Sequence, residues 1–177
     1  MSTAYLAWGV VAQAQATREA QASLAAQGVA PQQVLVTPTP FNSLLWRVVA
    51  VAGDHYYEGF YSLLDTSPRL AFDRFERGSA LEDKLPAHQG VQQIREFSQG
   101  FYKLHERAGR ASITDLRMGQ EPNYIFSFAV AQRGSGLKPL EKSEQVGATP
   151  DMKRALAWLW RRMWGEPLPR QDELAHA

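Results

Sequence analysis

The sequence contains no cysteine, so disulfide bonds, thiolate metal sites and cysteine nucleophiles are excluded. It has no apolar run of about 18 residues, the length that a membrane-spanning helix needs. No charged segment precedes the apolar residues near the start, so no signal peptide is predicted. A net charge of only +1 argues against a nucleic-acid footprint over the surface.

What is present is typical of a globular protein. The chain has 177 residues, of which 45% are hydrophobic and 21% are charged. This length fits one ordinary domain. We predict a single domain over residues 1–165 and a disordered tail over residues 166–177.

The most informative stretch is a predicted β-hairpin in residues 44–64. Two segments rich in β-branched and aromatic residues flank a short connection with Gly53, which predicts a three- to five-residue loop. Alternation puts apolar side chains on both faces of the first segment, so we expect an interior strand. Arg47 falls within it and requires a carboxylate partner or a route to water, because an unpaired buried guanidinium is costly.

The remaining chain predicts an α+β fold. The expected architecture is a mainly antiparallel sheet of five to six strands with a long N-terminal helix, short connecting helices and a C-terminal amphipathic helix. The predicted elements are a helix over 3–27 ending at Gly28, a strand at 34–36, short helices over 68–77 and 91–98, strands at 101–106, 111–118 and 124–131, a loop over 133–147, and a helix from 151 to Gly165.

Residues that could carry chemistry are few. None of the four histidines has a partner at metal-ligand spacing, and His55 and His105 are interpreted as solvated polar residues. Asp115 and Arg117 lie two apart on one predicted strand. They can form an ion pair, or hold an anion in a pocket with Arg47 and Asn42. Tyr57 and its aromatic neighbours can line a ligand groove or simply pack.

The last helix carries Trp158, Trp160 and Trp164 among basic residues. Its inner face is predicted to contain Leu156, Met163 and either Leu159 or Trp160. Such a helix can lie in a membrane interface, where indole rings sit at headgroup depth, or it can pack on the sheet with its arginines in water.

Several segments, in this order, resemble one protein family. They are Thr37–Val49 with Pro-Thr-Pro-Phe-Asn-Ser-Leu-Leu-Trp at its centre, Tyr57–Leu63, Phe97–Tyr102 and Asp115–Gly119. Together they resemble the C-terminal part of the bacterial inner-membrane, predicted metal-dependent hydrolases that are also described as LexA-binding. The resemblance covers residues 5–132.

The resemblance implies a soluble accessory domain that binds a substrate or partner beside membrane helices of the full-length protein, at the bacterial inner membrane. The family's metal-binding residues lie in its membrane part, so no catalytic residue, metal ligand or cofactor is carried onto this chain, and a divalent metal would belong to the full-length protein. Two alternatives stay open: a stand-alone hydrolase with a site on the sheet face, and a structural or protein-interaction domain with an apolar patch near Trp8 or Trp158. The candidate pocket consists of Asn42, Trp46, Arg47, Tyr57, Asp115 and Arg117.

Overall fold

The structure is a computed structural model that describes residues 3–85, 88–134, 136–147, 151–171 and 173. These residues contain four helices and ten strands. The helices are α1 (Thr3–Ala26), α2 (Ser79–Glu82), α3 (Gln89–Phe97) and α4 (Met152–Met163). The strands are β1 (Gln33–Pro38), β2 (Leu45–Ala52), β3 (His55–Ser62), β4 (Phe72–Glu76), β5 (Tyr102–Arg107), β6 (Arg110–Asp115), β7 (Gly119–Gln120), β8 (Asn123–Tyr124), β9 (Ser127–Arg133) and β10 (Leu137–Gln145).

The fold class is α+β, as predicted. The strands form a first sheet in the order β1-β2-β3-β4, a second sheet in the order β10-β9-β6-β5, and the small β7-β8 ribbon. The chain divides into two compact units, the first made of Met1–Phe75 with Asp151–Ala177 and the second of Glu76–Pro150. The sequence predicted one sheet of five to six strands, whereas the described residues form two sheets of four strands each and a two-stranded ribbon.

Part of the predicted tail has a defined place in the first unit. The indole of Trp158 donates a hydrogen bond of 2.8 Å to the carbonyl oxygen of Pro169. The Arg170 guanidinium lies 4.9 Å from the centre of the Phe75 ring, in a cation–π arrangement. Residues 172 and 174–177 of the predicted disordered tail lie outside the described residues.

The predicted hairpin is formed by β2 and β3. Its register pairs Ala52 with His55, so the connecting loop is only Gly53-Asp54, shorter than expected. Gly53 adopts a φ of 57°, which a glycine reaches without a steric penalty. Strand β2 is buried along both faces, which confirms the prediction of an interior strand.

Helix α1 covers one face of the first sheet with small side chains. Ala12, Ala16 and Ala20 are spaced by one turn each and are completely buried against the sheet. Their small size allows a close approach of helix and sheet, where they meet Val48 and Tyr61. The helix ends before Gly28, which has a φ of 72°, as predicted from its position after the helical pattern.

Helix α4 covers the opposite face of the same sheet. The carboxylate of Asp151 caps its start by accepting hydrogen bonds from the backbone N–H groups of Lys153 and Arg154. Trp158 packs edge-to-face on Phe60, with 4.9 Å between ring centres. The prediction for the inner face was wrong for Leu156, which is exposed, and Trp160 is exposed as well. Trp158 takes that inward place.

The helix predicted over residues 68–77 is wrong, because residues 72–76 form the edge strand β4 beside β3. Gly59 of β3 makes this approach possible. A Cβ there would lie 2.8 Å from the carbonyl oxygen of Ala71. The Phe75 ring then stacks on Tyr56, with 5.1 Å between ring centres. Tertiary pairing therefore overrides the local helix-start pattern at Pro68.

The loop predicted over residues 133–147 is also wrong, because it contains strand β10, which pairs with β9. This strand lies at the edge of the second sheet, and most of its side chains are exposed. It contains Pro139, a residue that edge strands accept and central strands do not. A mostly polar edge strand lacks the apolar alternation that would have identified it.

The second sheet buries one face and leaves the other polar. Its buried face packs against α2 and α3 through a core that includes Val91, Leu104 and Ile113. Helix α3 confirms the helix predicted near 91–98, and Phe97 at its end is largely exposed. The opposite face of β5 and β6 carries charged and hydroxyl side chains.

Candidate functional site

Arg47 has the carboxylate partner that its position requires. A guanidinium nitrogen lies 2.5 Å from an oxygen of Glu58, and the two side chains are 6% and 4% exposed. The register pairs Arg47 with Phe60 and Val49 with Glu58, so the ion pair runs diagonally across β2 and β3. It lies on the face that α4 covers. The pair is therefore an interior element of the first unit.

Asn42 organises the loop between β1 and β2. Its side-chain oxygen accepts hydrogen bonds from the backbone N–H groups of Leu44 and Leu45, at 3.1 and 2.7 Å. Its amide nitrogen donates to the hydroxyl of Thr39 at 2.7 Å. Both ends of this side chain thus hold the loop in one conformation, which is the usual task of asparagine in a turn.

The same loop presents Phe41 to solvent. Phe41 is 97% exposed and has a φ of 64°, in the left-handed region that phenylalanine rarely adopts. A strained backbone that persists at an exposed aromatic residue is a candidate for function, because packing does not account for it. The hydrogen bonds of Asn42 hold this conformation.

Trp46 and Tyr57 lie on the other face of the first sheet. Alternation along β2 puts Trp46 opposite to Arg47, and Trp46 is buried in the core formed with α1. Its indole N–H donates to the carbonyl oxygen of Ser43 at 3.1 Å. Tyr57 pairs in register with Ala50 and is half-buried on the same side as Trp46.

Asp115 and Arg117 form an ion pair in the second unit. Asp115 is completely buried at the end of β6 and accepts hydrogen bonds from the backbone N–H and from two guanidinium nitrogens of Arg117. These hydrogen bonds raise the pKa of Arg117 above its ordinary value. The guanidinium also lies 4.8 Å from the centre of the Phe97 ring. The geometry is that of a bidentate, stacked arginine.

The six candidate residues are thus divided. Asn42, Trp46, Arg47 and Tyr57 belong to the first unit, and Asp115 and Arg117 belong to the second. Within the first unit, Arg47 does not share a sheet face with Trp46 and Tyr57. A common pocket for all six stays a prediction.

A surface that sequence analysis did not assemble lies at one end of the first unit, where β2 begins and β3 ends. Four local contacts gather its parts. The Trp8 indole donates to the Ser43 hydroxyl at 3.2 Å, and the Ser62 hydroxyl donates to the carbonyl oxygen of Met163 at 2.5 Å. Ser62 is paired with Leu45, and the backbone of Leu63 donates to that of Leu44. The start of α1, the Phe41 loop and the end of α4 therefore meet here.

This end of the first unit is apolar. Burial of α1 begins at Ala12, and the residues before it, which include no charged side chain, are almost all exposed. We call the set the apolar end; it comprises the exposed residues Tyr5, Leu6, Trp8, Val10, Val11, Phe41, Leu64, Trp160 and Trp164. Single exposed apolar residues are normal, but a concentration of large exposed apolar side chains at one end of a unit is typical of an interaction surface.

Helix α4 extends this surface with a regular stripe. Met152, Leu156, Trp160 and Trp164 follow at intervals of four residues and are all exposed. The rings of Trp160 and Trp164 pack edge-to-face at 5.8 Å. Lys153 and Arg154 flank the stripe, and both are exposed. Arg162, on the inner side, is bound by the carboxylate of Asp65 through two hydrogen bonds.

Two further properties bear on the sequence-based expectations. Among the described helices, none is both long enough and apolar enough to cross a membrane. Among the described residues, no three or more histidine, aspartate or glutamate side chains are grouped so that they could hold a metal ion.

No family model matches the chain, and the searches of curated proteins and of solved structures likewise returned no significant match. The resemblance to the membrane-bound hydrolases therefore stays a prediction.

Proposed function

We propose that this chain is an accessory domain of a membrane-bound protein and that it docks on the bilayer interface through its apolar end. The observation that carries the proposal is the number of exposed aromatic and aliphatic side chains at one end of the first unit, among them Phe41, Trp8 and Trp164. Tryptophan, tyrosine and phenylalanine are the side chains that favour the boundary between headgroups and acyl chains. Their concentration at one end of the unit fits a planar apolar partner.

Charge supports a lipid partner. Lys153 and Arg154 lie beside the exposed stripe of α4, and no carboxylate occurs in residues 3–11 or 39–46 at the apolar end. Basic groups beside apolar side chains attract anionic headgroups while the rings enter the interface. The proposal agrees with the family resemblance, in which the domain follows membrane helices. The metal chemistry that the resemblance implies would then belong to those helices, and this chain would contribute substrate or partner binding next to them.

Co-sedimentation with vesicles tests the proposal. The purified chain is mixed with phosphatidylcholine vesicles containing phosphatidylglycerol, and the bound fraction is measured against lipid concentration. Phe41→Ser and Trp160→Ser are each expected to weaken partitioning by about tenfold, because burying an aromatic side chain contributes about 1.5–3 kcal/mol. Both side chains are exposed, so neither change disturbs the core.

The matched control is Met118→Ser, which removes an exposed apolar side chain from the second unit. Its partitioning is expected to equal that of the unchanged chain. Absence of binding to any vesicle, or an equal loss in the Met118 variant, would refute docking through the apolar end. Binding only to vesicles of one charge would identify which headgroups the basic residues of α4 recognise.

A further inference from the structure

The polar face of the second sheet contains a cavity of about 260 Å³. Three cationic side chains line it, those of Lys103, Arg107 and Arg110, together with His105. Four hydroxyl-bearing residues complete the polar lining, namely Ser112, Thr114, Tyr124 and Ser127, and each is more than nine-tenths buried. The lining thus consists mainly of groups that can donate hydrogen bonds.

Strand register explains this concentration of donors. Lys103 pairs with Thr114, which in turn pairs with Ser127 on the next strand. His105 pairs with Ser112, and Arg107 pairs with Arg110. Side chains at paired positions point to the same face. Three successive rows of polar residues therefore face the same space, and the Thr114 and Ser127 hydroxyls lie 2.8 Å apart within it.

The charges around the cavity do not cancel. Lys103 is paired with Glu121 and Arg110 with Glu144, and Arg107 adds a further positive charge. Burial lowers the pKa of His105 below the ordinary value of 6.5, and the charges of Lys103 and Arg107 lower it further, against an opposing effect of Glu121. Its Nδ1 atom is buried and finds no hydrogen-bond partner among the described residues.

We propose that this cavity is a binding site for a small tetrahedral oxyanion, either inorganic phosphate or the phosphate group of a small ester. Guanidinium and ammonium groups donate only, and they form their strongest hydrogen bonds with charged oxygens. The volume is below the range of about 300–1,000 Å³ that is usual for drug-sized ligands, which fits a small anion. The site belongs to the second unit and is independent of the apolar end.

Binding at this site is coupled to a proton. An anion in the cavity favours the charged imidazolium of His105 and so raises its pKa. The charged groups that act on His105 are Lys103, Glu121 and Arg107. Arg110, which is paired with Glu144, and Tyr124 belong to the same cavity. Phosphate itself takes up a proton in the same range, so the affinity of the unchanged chain is compared with that of His105→Gln at each pH. The ratio of the two affinities is expected to rise in favour of the unchanged chain as pH falls from 8 toward 6.

Isothermal titration calorimetry with inorganic phosphate, and in parallel with glycerol phosphate, tests the site on the full chain. Titrations with sodium chloride at matched ionic strength measure the contribution of simple screening. Arg107→Gln and Arg110→Gln are each expected to weaken binding by about tenfold, since each removes a charge-assisted hydrogen bond. Tighter binding of glycerol phosphate than of inorganic phosphate would identify an ester as the ligand, and the reverse order would identify the free ion.

The matched control is Arg133→Gln. Arg133 lies on β9, is bound by Glu106 and does not line the cavity, so its loss is expected to leave phosphate affinity unchanged. Both arginines of the cavity are exposed at the surface, and circular dichroism verifies that their variants fold. No heat of binding to the unchanged chain, or equal weakening by Arg133→Gln, would overturn the proposal.

Discussion

The guanidinium of Arg47 lies 2.5 Å from a carboxylate oxygen of Glu58 in the middle of the first sheet, with both side chains almost fully buried. Removing a charge from water carries a large desolvation cost, which a close partner offsets only while both members are present. The pair therefore links β2 to β3 beneath α4. Either charge buried alone would lower the free energy of unfolding.

Arg47→Met is accordingly expected to destabilise the protein by about 3–5 kcal/mol, because it removes the guanidinium that offsets the buried charge of Glu58. The double variant Arg47→Met with Glu58→Leu is expected to recover most of that loss. Urea denaturation followed by circular dichroism measures both. Arg18→Met, which breaks a pair with a largely exposed arginine, serves as the control and is expected to change stability by less than about 1 kcal/mol. A double variant as unstable as the single one would contradict this account.

Arg117 is expected to act as a stabiliser of the second unit that lysine cannot replace. It binds Asp115 through two guanidinium nitrogens and stacks on Phe97, and an ammonium group reproduces neither geometry. Arg117→Lys is therefore expected to lower the unfolding free energy by about 1–2 kcal/mol. Thermal unfolding of both proteins measures the difference. An unchanged melting temperature, accompanied by loss of a ligand-induced shift, would instead identify Arg117 as a binding residue.

We predict that the stability of the protein depends on pH through the titration of His105. Its pKa is lowered in the folded protein, chiefly by burial, so the unfolded chain takes up the proton at a higher pH than the folded chain does. Stability contributed by this group is thus complete above its unfolded pKa of about 6.5 and decreases as pH falls below that value. In phosphate-free buffer, His105→Gln is expected to remove this part of the decrease between pH 7 and pH 5.

Two-dimensional NMR of the imidazole protons gives an independent reading of the same group. The His105 resonance is expected to titrate below pH 6.5 in the folded protein. A midpoint at or above that value would mean that the cavity already carries a bound anion, or that the imidazole is exposed to water. Repeating the titration after dialysis distinguishes these two outcomes.

The sequence predicted the parts of the fold that depend on local pattern and on charge burial. The β2–β3 hairpin, the long α1 and the capped start of α4 follow from apolar periodicity, Gly28 and Asp151. The need for a carboxylate beside Arg47 followed from the cost of a buried guanidinium. That this carboxylate is Glu58 did not follow from the sequence, because it depends on the register of β2 and β3.

The elements that were missed depend on contacts between distant residues. Strand β4 forms because Gly59 leaves room for the backbone of Ala71, which the local helix-start signal at Pro68 does not reveal. Strand β10 is a polar edge, so its sequence lacks an apolar face. The presence of the Phe41 loop and the end of α4 at the same end of the first sheet could not be predicted either, since it requires knowing how α1 and α4 lie on the sheet. The signal that the sequence did offer for an exposed aromatic side chain was Phe41, which lies between Pro40 and Asn42 in a turn.

The most direct test of membrane docking uses the five tryptophans, of which Trp46 and Trp158 are buried and the other three belong to the apolar end. Fluorescence is measured with vesicles made from brominated lipids, which quench indoles that enter the interface. We predict strong quenching of the unchanged chain and little quenching of a variant in which Trp8, Trp160 and Trp164 are replaced by phenylalanine. No quenching of the unchanged chain, or equal quenching of the variant, would contradict docking through the apolar end.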